Sequence, residues 1–189
     1  MMRALVAFAV LIAGIASPAW AASSTTSVQP LTVLGDVPVR CRMGQPQALD
    51  GGSNTTFTQN GASSEIDFTD FVDSSTGRLN ASHAQIAFPI ICTGAQVLTI
   101  TTQNGGLANT SVAGGTNGFA ARADYTLDAS WASASRSLQT DGTTASLDLS
   151  QTTPQSGQLV LNFTLVPGSQ PLEAGSYDDA IVVQLNTAQ

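Results

Sequence analysis

Apolar residues alternate with polar ones in most segments after residue 30, and a two-residue period is the pattern of a half-buried strand. The segment "ADYTLDASWAS", for example, puts Tyr125, Leu127, Ala129 and Trp131 on one face. No long segment shows the 3.6-residue period of an amphipathic helix. Short strands separated by Gly, Pro and Asn turns therefore predict an all-β protein, an antiparallel β-sandwich or barrel. An immunoglobulin-like antiparallel β-sandwich is the leading architecture.

The first 21 residues predict a cleaved secretory signal peptide. Arg3 precedes the apolar run "ALVAFAVLIAGIA", and "SPAWA" then ends at Ala21 in an A-x-A pattern. The run is too short to span a bilayer core of about 30 Å. We therefore expect cleavage after about Ala21, export of the chain, and a mature protein that does not span a membrane.

The charged residues exclude one class of partner. The chain contains no lysine, and its six basic residues, all arginines, face thirteen acidic ones. Binding to nucleic acid or to anionic lipid requires a basic surface. The composition therefore predicts no nucleic-acid partner.

Two cysteines, Cys41 and Cys92, are the only ones in the chain. In a secreted protein an even pair is most simply interpreted as a disulfide. The alternation puts both side chains on apolar faces, which agrees with a bond inside the core. A pair of free buried thiols remains the alternative.

The sequence offers little for metal binding or nucleophilic catalysis. The single histidine, His83 in "NASHAQ", is expected to be a solvated loop residue between a turn and a strand. No G-x-S-x-G elbow surrounds a serine, and His and Cys ligands for a metal are missing. We predict no catalytic residue, no metal site and no cofactor.

Carboxylates are the only plentiful reactive groups. They recur as Asp67, Asp70 and Asp73, and as the adjacent pair Asp178 and Asp179. The first three do not follow the D-x-[DN]-x-[DN]-G calcium pattern. A glycosidase-like carboxylate pair and weak calcium binding stay open as less favoured hypotheses, since surface aspartates also keep an acidic chain in solution.

Two connections have distinctive compositions. The stretch "NGGLANTSVAGGTNG" (104–118) is rich in Gly and Asn and predicts a long exposed loop. It contains Asn109 in an Asn-x-Ser triplet. The tetrapeptide "TDGT" (140–143) predicts a hairpin turn between the strands "SRSLQ" and "ASLDLS".

The segment "PLTVLGDVPVRC" (30–41) alternates over more residues than one strand normally uses. At about 3.3 Å per residue it would span roughly 35 Å. Pro30 and Pro38 limit its pairing, because proline has no N–H for a ladder. Either the segment is one long bent strand of this molecule, or part of it pairs with something else.

Several motifs resemble the spore coat protein U family of archaic chaperone–usher pilins. The resemblance covers about residues 31–185 and is carried by "LTVLGDVPVRC", by "STGRLNASHAQIAFPIICTG" and by "LVLNFTLVPGSQPLEAGSYDDAIVVQL". The last of these contains an A-G-x-Y-x-D-x-[IV]-x-V signature, formed by Ala174, Gly175, Tyr177, Asp179, Ile181 and Val183.

The resemblance implies a sandwich that lacks its last strand and is completed by another chain. A periplasmic pilus chaperone would lend a strand, and an outer-membrane usher would exchange it for the N-terminal segment of a neighbouring pilin subunit. Residues 22–35 would then be the donor-strand segment, with Val28, Leu31 and Val33 as anchors, and residues 36–189 the pilin-like domain. The first strand of that domain is expected over about 36–44.

The expected function is that of a structural subunit of a bacterial surface pilus, fimbria or coat. A self-contained secreted surface or carbohydrate-binding module is the alternative, and exposure of Trp131 or Tyr125 would favour it. A small secreted hydrolase would need carboxylates converging around Asp67, Asp70 or Asp124.

Overall fold

The computed structural model describes residues 31–49, 52–61, 63–112 and 114–188. The chain divides after Gly35, so that residues 36–189 form one compact unit. The described residues contain strands and no helix, which confirms an all-β antiparallel sandwich. Because these ranges hold no helix, they hold none long and apolar enough to cross a membrane.

The first sheet has the order β1-β5-β12-β9-β10, with β2 also paired to β5. Its strands are β1 (Cys41–Met43), β2 (Gln47–Ala48), β5 (Ser82–Cys92), β9 (Tyr125–Trp131), β10 (Ala134–Gln139) and β12 (Gln155–Leu165). All neighbours are antiparallel. Along β9 every second side chain is buried, as the two-residue period predicts.

The second sheet has the order β11-β6-β13, formed by β6 (Gln96–Thr102), β11 (Ala145–Gln151) and β13 (Ile181–Thr187). Leu98 and Ile100 of the central strand are fully buried and belong to the same apolar cluster as Trp131 and Leu161 of the first sheet. This shared cluster makes the two sheets the layers of a sandwich.

Two small antiparallel pairs complete the fold. They are β3 (Thr55–Asn60) with β4 (Ser63–Phe68), and β7 (Leu107–Ala108) with β8 (Arg122–Ala123). Phe57, Ile66 and Phe68 of the first pair are partly buried against the core. The β3–β4 hairpin therefore contributes apolar side chains although it is a separate sheet.

The disulfide between Cys41 and Cys92 is present, which confirms the predicted pairing. The two residues are direct partners in the β1–β5 ladder. Cys92 is buried and Cys41 is half-buried. The bond therefore fastens β1 to the C-terminal end of β5.

The first strand is much shorter than predicted. β1 covers only Cys41–Met43, and residues 31–40 belong to no strand. Leu31 and Val33 are 89% and 86% exposed, whereas Val28 and the predicted signal peptide lie outside the described residues. The alternation of this segment therefore has no ladder in the described structure, and a first strand starting near residue 36 is wrong. Pro38, which lacks an N–H, lies in the part that would have extended β1.

Pro89 explains why β1 and β2 are separate strands. β1 pairs with Ile90–Cys92 of β5, and β2 pairs with Ile86 and Ala87, which leaves a gap around Pro89. The Pro89 carbonyl accepts a hydrogen bond from Gly44 N–H at 2.7 Å, so its backbone faces this edge. Because proline has no N–H to donate on that side, the edge ladder is interrupted there.

The predicted hairpin at 140–143 is wrong in its partners. The turn exists, since the Asp141 carboxylate accepts hydrogen bonds from Thr143. However, β10 pairs back with β9 while β11 pairs with β6, so the turn carries the chain from one sheet to the other. Local turn residues define the turn, whereas burial of Leu147 and Leu149 determines which sheet the next strand joins.

The predicted exposed loop at 104–118 is exposed only in its second part. Leu107–Ala108 form β7, and Asn109 is 3% exposed, whereas residues 114–118 are exposed. His83 is a second correction, since it lies within β5 opposite Thr164 rather than in a loop. Polar or glycine-rich composition does not by itself determine solvent exposure, because long-range strand pairing can bury such residues.

Candidate binding groove

A cavity of about 440 Å³, lined by both apolar and polar side chains, lies between β13 and the inner face of the first sheet, with β4 along its rim. Its volume is within the range of ligand pockets. The side chains that β5 and β12 contribute are Ile86, Phe88, Leu161 and Phe163, and β13 contributes Ile181 and Val183. The cavity is therefore continuous with the core of the sandwich.

One wall of the cavity is a sheet edge. β13 pairs with β6 and is the terminal strand of its sheet within the described ranges. The Ala180 carbonyl accepts a hydrogen bond from Gln103 N–H after β6, and the Ala188 N–H donates one to the Ala95 carbonyl before it. Because bonded pairs alternate in an antiparallel ladder, the backbone groups of Ile181, Val183 and Leu185 face away from β6.

The same three residues point their side chains toward the core, yet they are only half-buried. A strand that presents both unpaired backbone groups and incompletely covered apolar side chains is suited to pairing with another extended segment. The opposite side of the sandwich differs in its connection. There the chain passes directly from β10, at the edge of the first sheet, to β11, at the edge of the second.

The rim of the cavity is acidic. Glu65 and Asp67 on β4, and Asp178 before β13, line it and are exposed. Within the described ranges, no group of three His, Cys, Asp or Glu side chains is close enough together to hold a metal ion.

The other candidate carboxylates serve local structure. The Asp73 carboxylate accepts hydrogen bonds from the side chains and N–H groups of Ser75 and Thr76, and these lower the pKa of Asp73 to about 2. Asp124 forms an ion pair with Arg122 at 2.7 Å. Asp67 lies on the cavity rim instead. Asp124 is not among the residues that line the cavity.

Asp179 anchors the start of β13. Its carboxylate accepts hydrogen bonds from the N–H groups of Gln103, Asn104 and Gly106 at 3.2, 2.8 and 3.0 Å, and from the Tyr125 hydroxyl at 2.7 Å. One side chain therefore connects β13, the segment after β6 and the inner face of β9. Asp179 and Tyr125 both line the cavity, so this network also shapes one of its ends.

Tyr125 makes the stability sensitive to alkaline pH. Burial, followed by the hydrogen bond and the negative charge of Asp179, raises the pKa of the Tyr125 phenol well above its usual range. An unfolded tyrosine titrates near pH 10, so the stabilisation is complete below about pH 10 and is lost above it. We expect the free energy of unfolding to fall by up to about 1.4 kcal/mol per pH unit in that range.

Urea unfolding between pH 8 and 11 measures this slope. The Tyr125→Phe variant should be less stable at pH 8 but should lose less stability per pH unit. Burial also raises the pKa of Tyr177. The variant should therefore retain part of the decrease in unfolding free energy with pH. Equal slopes in the variant and the wild type would contradict the assignment to Tyr125.

Tyr177 closes the corner before β13. Its hydroxyl lies 2.7 Å from the Glu173 carbonyl, four residues upstream, and 2.9 Å from the Ala120 carbonyl. Its ring packs on Phe71, with centroids 5.5 Å apart. A tyrosine before a strand whose hydroxyl bonds to the backbone a few residues upstream resembles the tyrosine corner of immunoglobulin-type sandwiches.

Gly175 and Ala174 hold the loop that precedes Tyr177 against Asn109. The Asn109 amide donates to the Ala174 carbonyl at 3.2 Å. A Cβ on Gly175 would lie 2.3 Å from the Asn109 amide nitrogen, and φ at Gly175 is +152°. Only glycine fits this close approach without strain.

The structure therefore brings the signature residues together at one end of the groove. Tyr177, Asp179, Ile181 and Val183 line the cavity, while Ala174 and Gly175 fix the turn that leads to them. Sequence reasoning missed Asn109 and the hydroxyl of Tyr125. The Asn109 side chain also accepts hydrogen bonds from Ser111, two residues away, but its contact with Ala174 and the contact of Tyr125 with Asp179 join residues 65 and 54 positions apart, which no local pattern indicates.

The aromatic residues that would indicate a sugar platform are inaccessible. Trp131 is 1% exposed and Tyr125 is 3% exposed. Stacking on a sugar needs an accessible aromatic face, and Trp131 and Tyr125 do not present one at the surface. No protein-family model matches the chain, and no curated protein matches it.

Proposed function

We propose that this protein is a structural subunit of a bacterial surface pilus, fimbria or coat. Its immunoglobulin-like sandwich would be incomplete, and the N-terminal segment of a neighbouring copy would complete it. The observation that carries the proposal is the cavity that exposes core side chains of β5, β12 and β13 beside the unpaired edge of β13. The resemblance of the C-terminal signature to archaic chaperone–usher pilins supports it.

The chain also contains a segment with the properties of a donor. Residues 31–40 belong to no strand and are exposed, and they include the apolar residues Leu31, Val33 and Leu34. An added strand would satisfy the backbone groups of Ile181, Val183 and Leu185, and its inward side chains would fill the cavity. Each fully buried Leu or Val would contribute roughly 1.5–3 kcal/mol.

The proposed partners follow from the same physics. An open apolar groove at a sheet edge aggregates unless it is covered. A periplasmic chaperone would cover it after export, and an outer-membrane usher would exchange the chaperone for the next subunit at the cell surface. A self-contained binding module is less well supported, because Trp131 and Tyr125 are buried.

The proposal predicts that charge at the donor anchors prevents polymerisation. The double variant Leu31→Asp/Val33→Asp should remain monomeric, because burying an unpaired carboxylate costs several kcal/mol. Oligomeric state is measured by size-exclusion chromatography with light scattering. Because its own groove is unchanged, the variant should still bind a wild-type peptide of residues 22–35.

Thr32→Asp is the control, since it introduces one carboxylate between the anchors at a position that would face solvent. It should polymerise like the wild type. Polymers of normal length from the double variant would show that Leu31 and Val33 are not donor anchors.

A further inference from the structure

Thr93 holds the residues that connect the N-terminal segment to β1. Its hydroxyl accepts a hydrogen bond from Arg40 N–H at 2.9 Å and lies 3.0 Å from the Pro38 carbonyl, to which it can donate. The Thr93 N–H donates to the Arg40 carbonyl at 2.9 Å. A single residue next to Cys92 therefore fixes both ends of the tripeptide 38–40.

Gly94 completes this contact. A Cβ at Gly94 would lie 2.6 Å from Cγ1 and 2.8 Å from Cγ2 of Val39. The absence of a side chain thus lets Val39 pack directly against the backbone after β5. We call Thr93 and Gly94 together the exit clamp.

The direction of the strands gives the exit clamp a consequence. β1 starts opposite Cys92 and runs toward the partner of Ile90, with β2 following opposite Ala87 and Ile86. The groove is lined farther along β5, by Phe88 and Ile86. The chain therefore enters β1 beside Cys92, at the end of β5 that is farther from Phe88 and Ile86. The clamped tripeptide 38–40 continues β1 backward past that end, still antiparallel to β5.

We propose that the exit clamp, Thr93 with Gly94, is a positioning device that prevents the chain from inserting its own N-terminal segment into its own groove. Self-insertion requires the chain to reverse direction before Cys41. With residues 38–40 held by Thr93 and Gly94, a reversal over these residues breaks the Thr93 hydrogen bonds and the Val39 contact. The clamp thereby favours insertion of the donor segment into another molecule over self-insertion. The inference rests on the proposed function.

The test compares clamp variants of the secreted chain, refolded at low protein concentration. Thr93→Val removes the hydroxyl at nearly constant volume, and Gly94→Ala adds the Cβ that meets Val39. Thr93→Ser retains the hydroxyl, and Thr58→Val makes the same change as the first variant on the exposed face of β3. Near-ultraviolet circular dichroism of the buried Trp131 verifies that each variant folds.

The readout is the fraction of monomer that does not take up a fluorescent peptide of residues 22–37, since a self-filled groove cannot bind it. We expect Thr93→Val and Gly94→Ala to raise this closed fraction on the order of threefold and to shorten polymers, because an intramolecular segment competes at high effective concentration. Thr93→Ser and Thr58→Val should match the wild type.

Equal closed fractions in all five chains, with normal peptide uptake, would overturn the role of the clamp and leave the proposed function intact. Failure of every chain to take up peptide or to polymerise, the wild type included, would overturn the proposed function and this inference with it.

Discussion

Asp179→Asn is expected to lower the free energy of unfolding by about 3 kcal/mol. Both carboxylate oxygens accept two hydrogen bonds, from backbone N–H groups and from the Tyr125 hydroxyl. An asparagine has the same shape but replaces one acceptor oxygen with an amide group that itself donates. At least one partly buried donor then loses its partner. Urea unfolding at neutral pH measures the effect.

The neighbouring residue provides a matched control. Asp178 is exposed, and its carboxylate makes one contact of 3.4 Å with the Asn104 amide. Asp178→Asn should therefore change the stability by less than about 0.5 kcal/mol. Similar losses from the two substitutions would mean that net charge, rather than the hydrogen bonds of Asp179, determines the effect.

Loss of the disulfide is expected to cost about 4 kcal/mol, because the bond closes a loop with a sequence separation of 51. The double variant Cys41→Ala/Cys92→Ala removes it without leaving a reactive thiol. We expect its urea midpoint to fall well below that of the oxidised wild type.

Treatment with a reductant distinguishes the effect of losing the disulfide from the effect of replacing the cysteine side chains. Dithiothreitol should destabilise the wild type to about the level of the double variant and should leave the double variant unchanged. If the wild type keeps its midpoint after complete reduction, the disulfide does not contribute to stability as described.

The alternation of apolar residues was sufficient to predict the class of fold. Leu127, Ala129 and Trp131 are buried on one face of β9, and Cys41 is bonded to Cys92. These features depend on local periodicity and on a single pair of thiols, so they can be deduced from the sequence. Strand partners cannot be deduced in this way, as the wrongly predicted hairpin at 140–143 shows, because they depend on distant burial.

The candidate site was predictable only in part. The C-terminal signature pointed to Tyr177, Asp179 and Val183, which line the cavity. The contribution of Asn109 and the packing of Gly94 on Val39 depend on residues far apart in the chain. The alternation in residues 31–39 is a property of the sequence, but it carries no information about the molecule with which the segment would pair.

Thermal unfolding of residues 36–189 with and without a peptide of residues 22–35 tests the central proposal most directly. We expect the truncated domain to be unstable or to aggregate. The peptide should raise its melting temperature by about 5–10 °C at about a hundred times Kd. A peptide carrying Leu31→Asp and Val33→Asp should have no effect. A truncated domain that is a stable monomer and does not respond to the wild-type peptide would contradict donor-strand exchange.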